Sequence, residues 1–150
     1  MAEPPDLAPP GEAPPSIQSV VETALYFDDL PVALAFYRDV LRLRVMSSND
    51  RLVSLDAGGG TVLLLFRRGA TVEGVRWPGG SIPPHDGAGP IHLALGVQRE
   101  HLDAWARWLV ARRVTIESEV RWDRGGRSLY FRDPAGHSVE LVTPGTWENH

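Results

Sequence analysis

The chain runs twice through the same order of elements, strand–helix–strand–strand–strand, and any fold must give both copies equivalent places. The first copy opens with Val20–Phe27, in which Val21, Thr23, Leu25 and Phe27 share one face and Glu22, Ala24 and Tyr26 share the other. Asp28 and Asp29 then offer an N-cap ahead of Pro31, and Ala33, Phe36, Tyr37, Val40 and Leu41 form one helical stripe. That stripe should cover the Val21/Leu25 face and leave the Glu22 face open. Strands are expected over Leu43–Ser47, Leu52–Asp56 and Thr61–Phe66. Gly58, Gly59 and Gly60 precede a β-branched, leucine-rich run, so they read as a hairpin turn and not as a phosphate loop, which should open a helix.

The second copy starts at Ile91–Val97, with His92, Ala94 and Gly96 on one face. A helix with Leu102, Trp105, Ala106 and Leu109 as its stripe follows. Strands over Val114–Val120, Ser128–Arg132 and Ser138–Val142 complete it, the last two joined by an Asp133-Pro134-Ala135-Gly136 turn. Arg67–Pro90 between the copies is a long Gly/Pro connection holding Trp77, His85 and Asp86. His85 there reads either as a residue reaching a ligand or metal or as a plain surface histidine.

Aligning the copies puts Glu22 and His92 at the same position, the start of each first strand, and matches Glu140 in the last strand to Leu64. Glu22, His92 and Glu140 each lie on a face their helix should not cover. If the halves pair about a pseudo-twofold axis, these faces form one concave surface on which the three side chains converge. Two carboxylates and an imidazole suit Mn²⁺, Fe²⁺, Zn²⁺, Ni²⁺ or Co²⁺, and three protein ligands leave coordination positions open for water or substrate. Tyr26 shares the Glu22 face. Arg127 and Tyr130 lie on the strand beside Glu140, with Arg127 a candidate partner for an anionic substrate group.

Composition removes several alternatives. The 150 residues hold no cysteine, which excludes disulfides, thiol catalysis and thiolate-bound metals. A formal net charge of −4 gives no general attraction to nucleic acid or to an anionic membrane. No apolar run suggests a membrane span and no secretory signal is apparent, so a cytoplasmic protein is expected. Residues 1–17 are Pro-rich and expected to form a disordered leader. The folded domain is expected over 18–146: module one at 18–67, a connecting loop at 68–89 and module two at 90–146.

The runs Glu22–Leu30 (ETALYFDDL), Ala35–Leu41 (AFYRDVL), Gly89–His92 (GPIH) and Phe131–Glu140 (FRDPAGHSVE) together resemble the vicinal oxygen chelate superfamily, the glyoxalase/bleomycin-resistance/dioxygenase group. The resemblance covers about Ser19 to Gly145. It implies an α+β fold of two paired βαβββ modules forming an open, cup-like β-barrel around one divalent metal ion. It carries the ligand positions onto Glu22, His92 and Glu140. Leu64 stands where glyoxalase I-like members carry a fourth ligand, and Glu22 where extradiol dioxygenases and fosfomycin-modifying members usually have His. Arg42 and Arg113 stand where relatives often have a glycine after a helix, so those ends are expected to close differently.

The expected function is a metal-dependent enzyme on a small substrate with vicinal oxygens, by lyase/isomerase or ring-cleaving dioxygenase chemistry. Glu22 or Glu140 is the candidate general base, and Tyr26, His85, Arg127 and Tyr130 are the candidate substrate contacts. The alternative is a metal-free protein that sequesters a ligand, of the bleomycin-resistance type. The resemblance also implies a homodimer.

Overall fold

A computed structural model describes residues 13–150. Most of the leader expected at 1–17 therefore lies outside the described residues. The first module runs β1 (Glu22–Phe27), α1 (Leu30–Ala35), β2 (Arg44–Ser48), β3 (Leu52–Gly58) and β4 (Thr61–Arg67). A short hairpin follows, β5 (Val75–Trp77) and β6 (Gly80–Ile82), where only an irregular connection was expected. The second module runs β7 (His92–Gly96), α2 (Leu102–Ala111), β8 (Ile116–Arg121), β9 (Arg127–Arg132) and β10 (Ser138–Val142).

The duplication holds in three dimensions. The sheets have the orders β1-β4-β3-β2 and β7-β10-β9-β8. In each, the first and last strands pair in parallel, and the remaining neighbours are antiparallel. Ala24 lies opposite Leu64 and Ala94 opposite Glu140, so Leu64 and Glu140 are true equivalents. Each module also has a register shift where its second strand meets its third, at Val45/Ser47 and at Ile116/Ser118.

Local chemistry explains the boundaries. The Asp29 carboxylate accepts from Val32 N at 3.1 Å, capping α1 ahead of Pro31. The single helix expected here continues as a wider turn over Phe36–Val40, in which Leu41 N donates to Phe36 O. Both helix ends close through left-handed residues, Arg42 and Arg113, each at φ 60°. Val114 N donates to Leu109 O and Arg113 N to Val110 O, the bonding that a glycine usually supports. The expectation of a different closure is thus corrected: the arginines take the glycine geometry and bear its steric cost. At the Asp133–Gly136 turn, Gly136 N donates to Asp133 O and Gly136 sits at φ 85°.

One apolar core joins both modules. Leu25, Phe27, Ala33, Phe36 and Tyr37 from the first meet Leu102, Leu109, Leu129, Phe131 and Leu141 from the second. The Tyr37 hydroxyl donates to Asp133 Oδ2 at 2.9 Å, and Trp108 Nε1 donates to Val40 O at 2.7 Å. Phe36 lies 6.4 Å from Phe131 and the Phe27 ring meets His137 edge-on at 5.0 Å. The helix-covered faces of the two sheets are therefore turned toward each other, and the Glu22 and Glu140 faces are turned outward.

The expected barrel was an open one, and the sheets share no hydrogen-bonded strand pair among the described residues. One expectation changes. Val21 stays 60% exposed, because only the second half of β1, at Leu25 and Phe27, runs beneath the core.

Candidate metal centre and its neighbouring cavity

His92 opens β7 and Glu140 lies one row further along on the paired strand β10. The His92 Nδ1 lies 3.0 Å from Ser138 O. A carbonyl only accepts, so Nδ1 carries the proton and Nε2 is left facing outward. Nε2 lies 3.3 Å from Glu140 Oε2. Either a second proton on Nε2 makes this an ion pair, or the Nε2 lone pair and the carboxylate oxygen share a cation. Two cis ligands at ~2.1 Å from one ion stand ~3 Å apart, so the separation fits the second arrangement. The donor set, a neutral imidazole and a carboxylate, fits a borderline divalent ion.

Glu140 is buried at 6% exposure, on a strand where alternation turns Val139 and Leu141 into the core. Its partners were not legible in the sequence. Trp122 Nε1 donates to Ser128 Oγ at 2.8 Å, and Ser128 Oγ donates to Glu140 Oε1 at 2.5 Å. This chain fixes one carboxylate oxygen and leaves the other toward His92. Ser128 and Glu140 belong to neighbouring rows of one sheet face, since Ser128 pairs with Val142 and Tyr130 with Glu140. Only the antiparallel register reveals that.

Tyr130 is where the sequence suggested. Its ring stacks on His92 at 6.2 Å, and burial followed by the Glu140 carboxylate holds its phenol above the ordinary value. Arg127 is not there. It shares the face of Leu129 and Phe131, on the far side of β9, and binds Glu119 at 2.8 Å and Asp103 at 2.9 Å. Its charge is already matched by two carboxylates, so it is not part of this site.

Glu22 lies on the outward face of the other sheet, exposed, at the position equivalent to His92. Among the described residues no three His, Asp or Glu side chains come close enough to hold one ion. The expected convergence therefore does not occur within one chain. Glu22 instead stands at one end of a cavity of about 620 Å³. Ala24, Leu64, Phe66, Val75, Trp77 and Ile82 supply most of its walls, the last three from the β5–β6 hairpin.

Tyr26 and His85 stand at the other end of this cavity. The Tyr26 hydroxyl lies 2.6 Å from His85 Nδ1. Burial, then the nearby Asp86 carboxylate, holds the Tyr26 phenol above its usual value, so it keeps its proton. With that proton donated to Nδ1, the imidazole proton sits on Nε2. His85 N donates to Thr71 O at 3.2 Å and the Thr71 hydroxyl donates back to His85 O. The ring packs edge-on against Phe66 at 4.9 Å. Gly87 lies flat on the tyrosine: a Cβ there would sit 2.5 Å from Tyr26 Cδ2. His85 is thus an anchored wall of the cavity and not a loose surface residue.

Comparison with known proteins gives the family and the fold. The family model described as Glyoxalase/Bleomycin resistance protein/Dioxygenase superfamily matches residues 19–141. A metallothiol transferase FosB of Staphylococcus saprophyticus is 26% identical over 128 residues, 85% of this chain and 78% of that protein. The crystal structure of a lactoylglutathione lyase from Agrobacterium tumefaciens superposes with a TM-score of 0.79 at 36% identity, covering 91% of this chain and 99% of that one. A glyoxalase/bleomycin resistance protein/dioxygenase structure from Nocardioides, 20% identical, covers 87% of this chain and 85% of its own with a TM-score of 0.65, and supports the fold alone.

Proposed function

Because the chain belongs to the glyoxalase/bleomycin resistance protein/dioxygenase superfamily, we propose that it is a divalent-metal-dependent enzyme acting on a small molecule with adjacent oxygens. Its metal centre, in this reading, takes His92 and Glu140 from one chain and Glu22 from a second copy. The observation that carries the reading is the pair His92 Nε2 and Glu140 Oε2 at 3.3 Å, each aimed by its own hydrogen bond.

The cross-chain arrangement is supported by where the faces point. β1 and β7 are edge strands of their sheets, with an open row of backbone groups each. Ile17, Val20 and Val21, just ahead of β1 in the chain, expose apolar surface. Docking the β1 edge of one copy beside the β7 edge of another would cover these residues. It would also bring the Glu22 face toward a His92–Glu140 pair and form the cup that one chain lacks.

A bound divalent ion supplies Lewis-acid polarisation of two adjacent substrate oxygens and charge to hold an oxyanion. The residues divide the remaining work. His92 and Glu140 are held rigidly and orient. Glu140 is tied to Ser128 and is a poor shuttle. Glu22 makes no side-chain hydrogen bond or ion pair among the described residues, so of the two candidate bases it is the one free to move a proton. The apolar cavity excludes water from the adjoining space. Lyase, isomerase or group-transfer chemistry of the kinds named for the relatives from Agrobacterium and Staphylococcus fits this set. Ring-cleaving oxygen chemistry requires a redox-active ion.

The apolar cavity itself favours a second reading, a metal-free protein that sequesters an apolar ligand. Metal content of protein purified without chelator separates the two. About one divalent ion per chain is expected, lost in His92→Ala, Glu140→Ala and Glu22→Ala. Mixing unfolded Glu22→Ala and Glu140→Ala chains and refolding them together should recover about one quarter of the sites, because half the pairs are mixed and each holds one intact centre. Absence of metal in the wild type, with none taken up on adding Mn²⁺, Fe²⁺, Zn²⁺, Ni²⁺ or Co²⁺, overturns the enzyme reading. Metal retained in Glu22→Ala overturns the shared centre.

A further inference from the structure

The cavity beside Glu22 has polar groups at its two ends and apolar walls between them. Its volume of about 620 Å³ falls within the ~300–1,000 Å³ of sites that hold drug-sized ligands. Tyr26 lies four steps along β1 from Glu22, about 13 Å at ~3.3 Å per residue. The wall along that length is a cross-strand ladder: Ala24 beside Leu64, then Tyr26 beside Phe66, which pairs in turn with Leu52. The β5–β6 hairpin roofs it with Val75, Trp77 and Ile82. This hairpin pairs with no other strand, and Trp77 is 69% exposed. An isolated two-stranded ribbon is marginally stable alone, so its apolar face has something to gain from a ligand beneath it.

The Tyr26 end is electrostatically distinct. Arg51 immediately precedes Leu52 and lines the cavity at this end. One of its guanidinium nitrogens, Nη2, donates to Ala70 O, and among the described residues it forms no ion pair with a carboxylate. Arg44, Arg68, Arg127 and Arg132 by contrast each have an acidic partner. His85 adds a second donor, because Tyr26 occupies its Nδ1 and leaves the Nε2 proton unassigned. A partly buried guanidinium and an imidazole N–H beside apolar walls favour an anionic oxygen pair.

We propose that this cavity selects an amphiphilic organic acid: an apolar, ring-bearing body lying along Leu64, Phe66 and Trp77, with a terminal carboxylate held by Arg51 and His85. The opposite end of such a molecule reaches Glu22 and carries the group on which the enzyme acts. Arg51 and His85 are then specificity determinants, distant from the reacting oxygens. The inference rests on the reading of this cavity as the substrate chamber.

The probes are 4-phenylbutyrate and its neutral counterpart 4-phenylbutyramide, titrated calorimetrically into EDTA-treated full-length protein. Removing metal prevents the carboxylate from binding an ion, so failure of the metal reading leaves this experiment intact. The acid should bind at least tenfold more tightly than the amide. Arg51→Gln should abolish that difference while leaving amide binding unchanged. Trp77→Ala should weaken both probes by a similar factor. A merely structural arginine would affect both probes alike, so loss of the acid–amide difference is the decisive reading. Equal affinity of acid and amide for the wild type, no saturable binding of either, or an undiminished preference for the acid in Arg51→Gln overturns the proposal.

Discussion

At the scale of single residues, the geometry of the proposed metal centre depends on groups that would touch no metal. Ser128 is fully buried, and its hydroxyl donates to Glu140 Oε1. Removing it frees the carboxylate to rotate away from His92, and outer partners of this kind typically carry 10–100-fold in metal affinity. Ser128→Ala is therefore expected to weaken metal binding about 10–100-fold while leaving the fold intact, measured by competition with a chromophoric chelator. Unchanged affinity would mean that β10 alone orients Glu140. Ser128→Thr, which keeps the hydroxyl, should restore much of the loss.

At the scale of elements, the junction between the wider turn Phe36–Val40 that continues α1 and the β9–β10 turn holds the modules in register. Asp133 Oδ1 accepts from Ala135 N and His137 N, and Oδ2 accepts from Tyr37 and His137 Nδ1. Burial, then the Asp133 charge, pushes the Tyr37 phenol far above its ordinary value. Tyr37→Phe is expected to cost about 1.5–3 kcal/mol at neutral pH, the usual worth of a hydrogen bond to a charged group.

The alkaline limb tests the cause. The folded phenol stays protonated where the unfolded one, near pH 10, ionises. Its contribution is thus complete below about pH 10 and is lost above that, by up to ~1.4 kcal/mol per pH unit. The stability gap between wild type and Tyr37→Phe should narrow from pH 9 to pH 11 in urea titrations. The chain has no lysine and no cysteine to obscure this range, and three tyrosines. A constant gap would show that the phenol ionises alike in both states.

At the scale of the whole molecule, each sheet presents one face to the shared core and one outward, and the outward faces carry the candidate site residues Glu22, His92 and Glu140. A second copy that covers them would make stability depend on protein concentration. Thermal midpoints should rise with concentration and rise further with added divalent metal, and sedimentation should report a dimer. Val21→Glu, at the exposed β1 edge, is expected to shift that dimer toward monomer and to lower the metal content with it. A midpoint independent of concentration, with metal still bound, would place the third ligand elsewhere.

The sequence by itself determined the elements of the two modules, though not the β5–β6 hairpin between them, together with their duplication and the equivalence of Glu22 with His92 and of Leu64 with Glu140, because alternation and helical periodicity are local properties of the chain. It also named Tyr26, Tyr130 and the turn at Asp133. Only the tertiary structure decided which faces meet. Two amphipathic modules can bury their helices together or their open faces together, and the periodicity is the same in both. Burying the helices turned Glu22 away from His92 and Glu140 and left Val21 exposed, whereas alternation along β9 alone places Arg127 on the face opposite Tyr130. Ser128, Trp122 and the His85 clamp were illegible for a related reason: each depends on a contact between residues whose approach is set by strand register or by a long loop folding back, not by spacing along the chain.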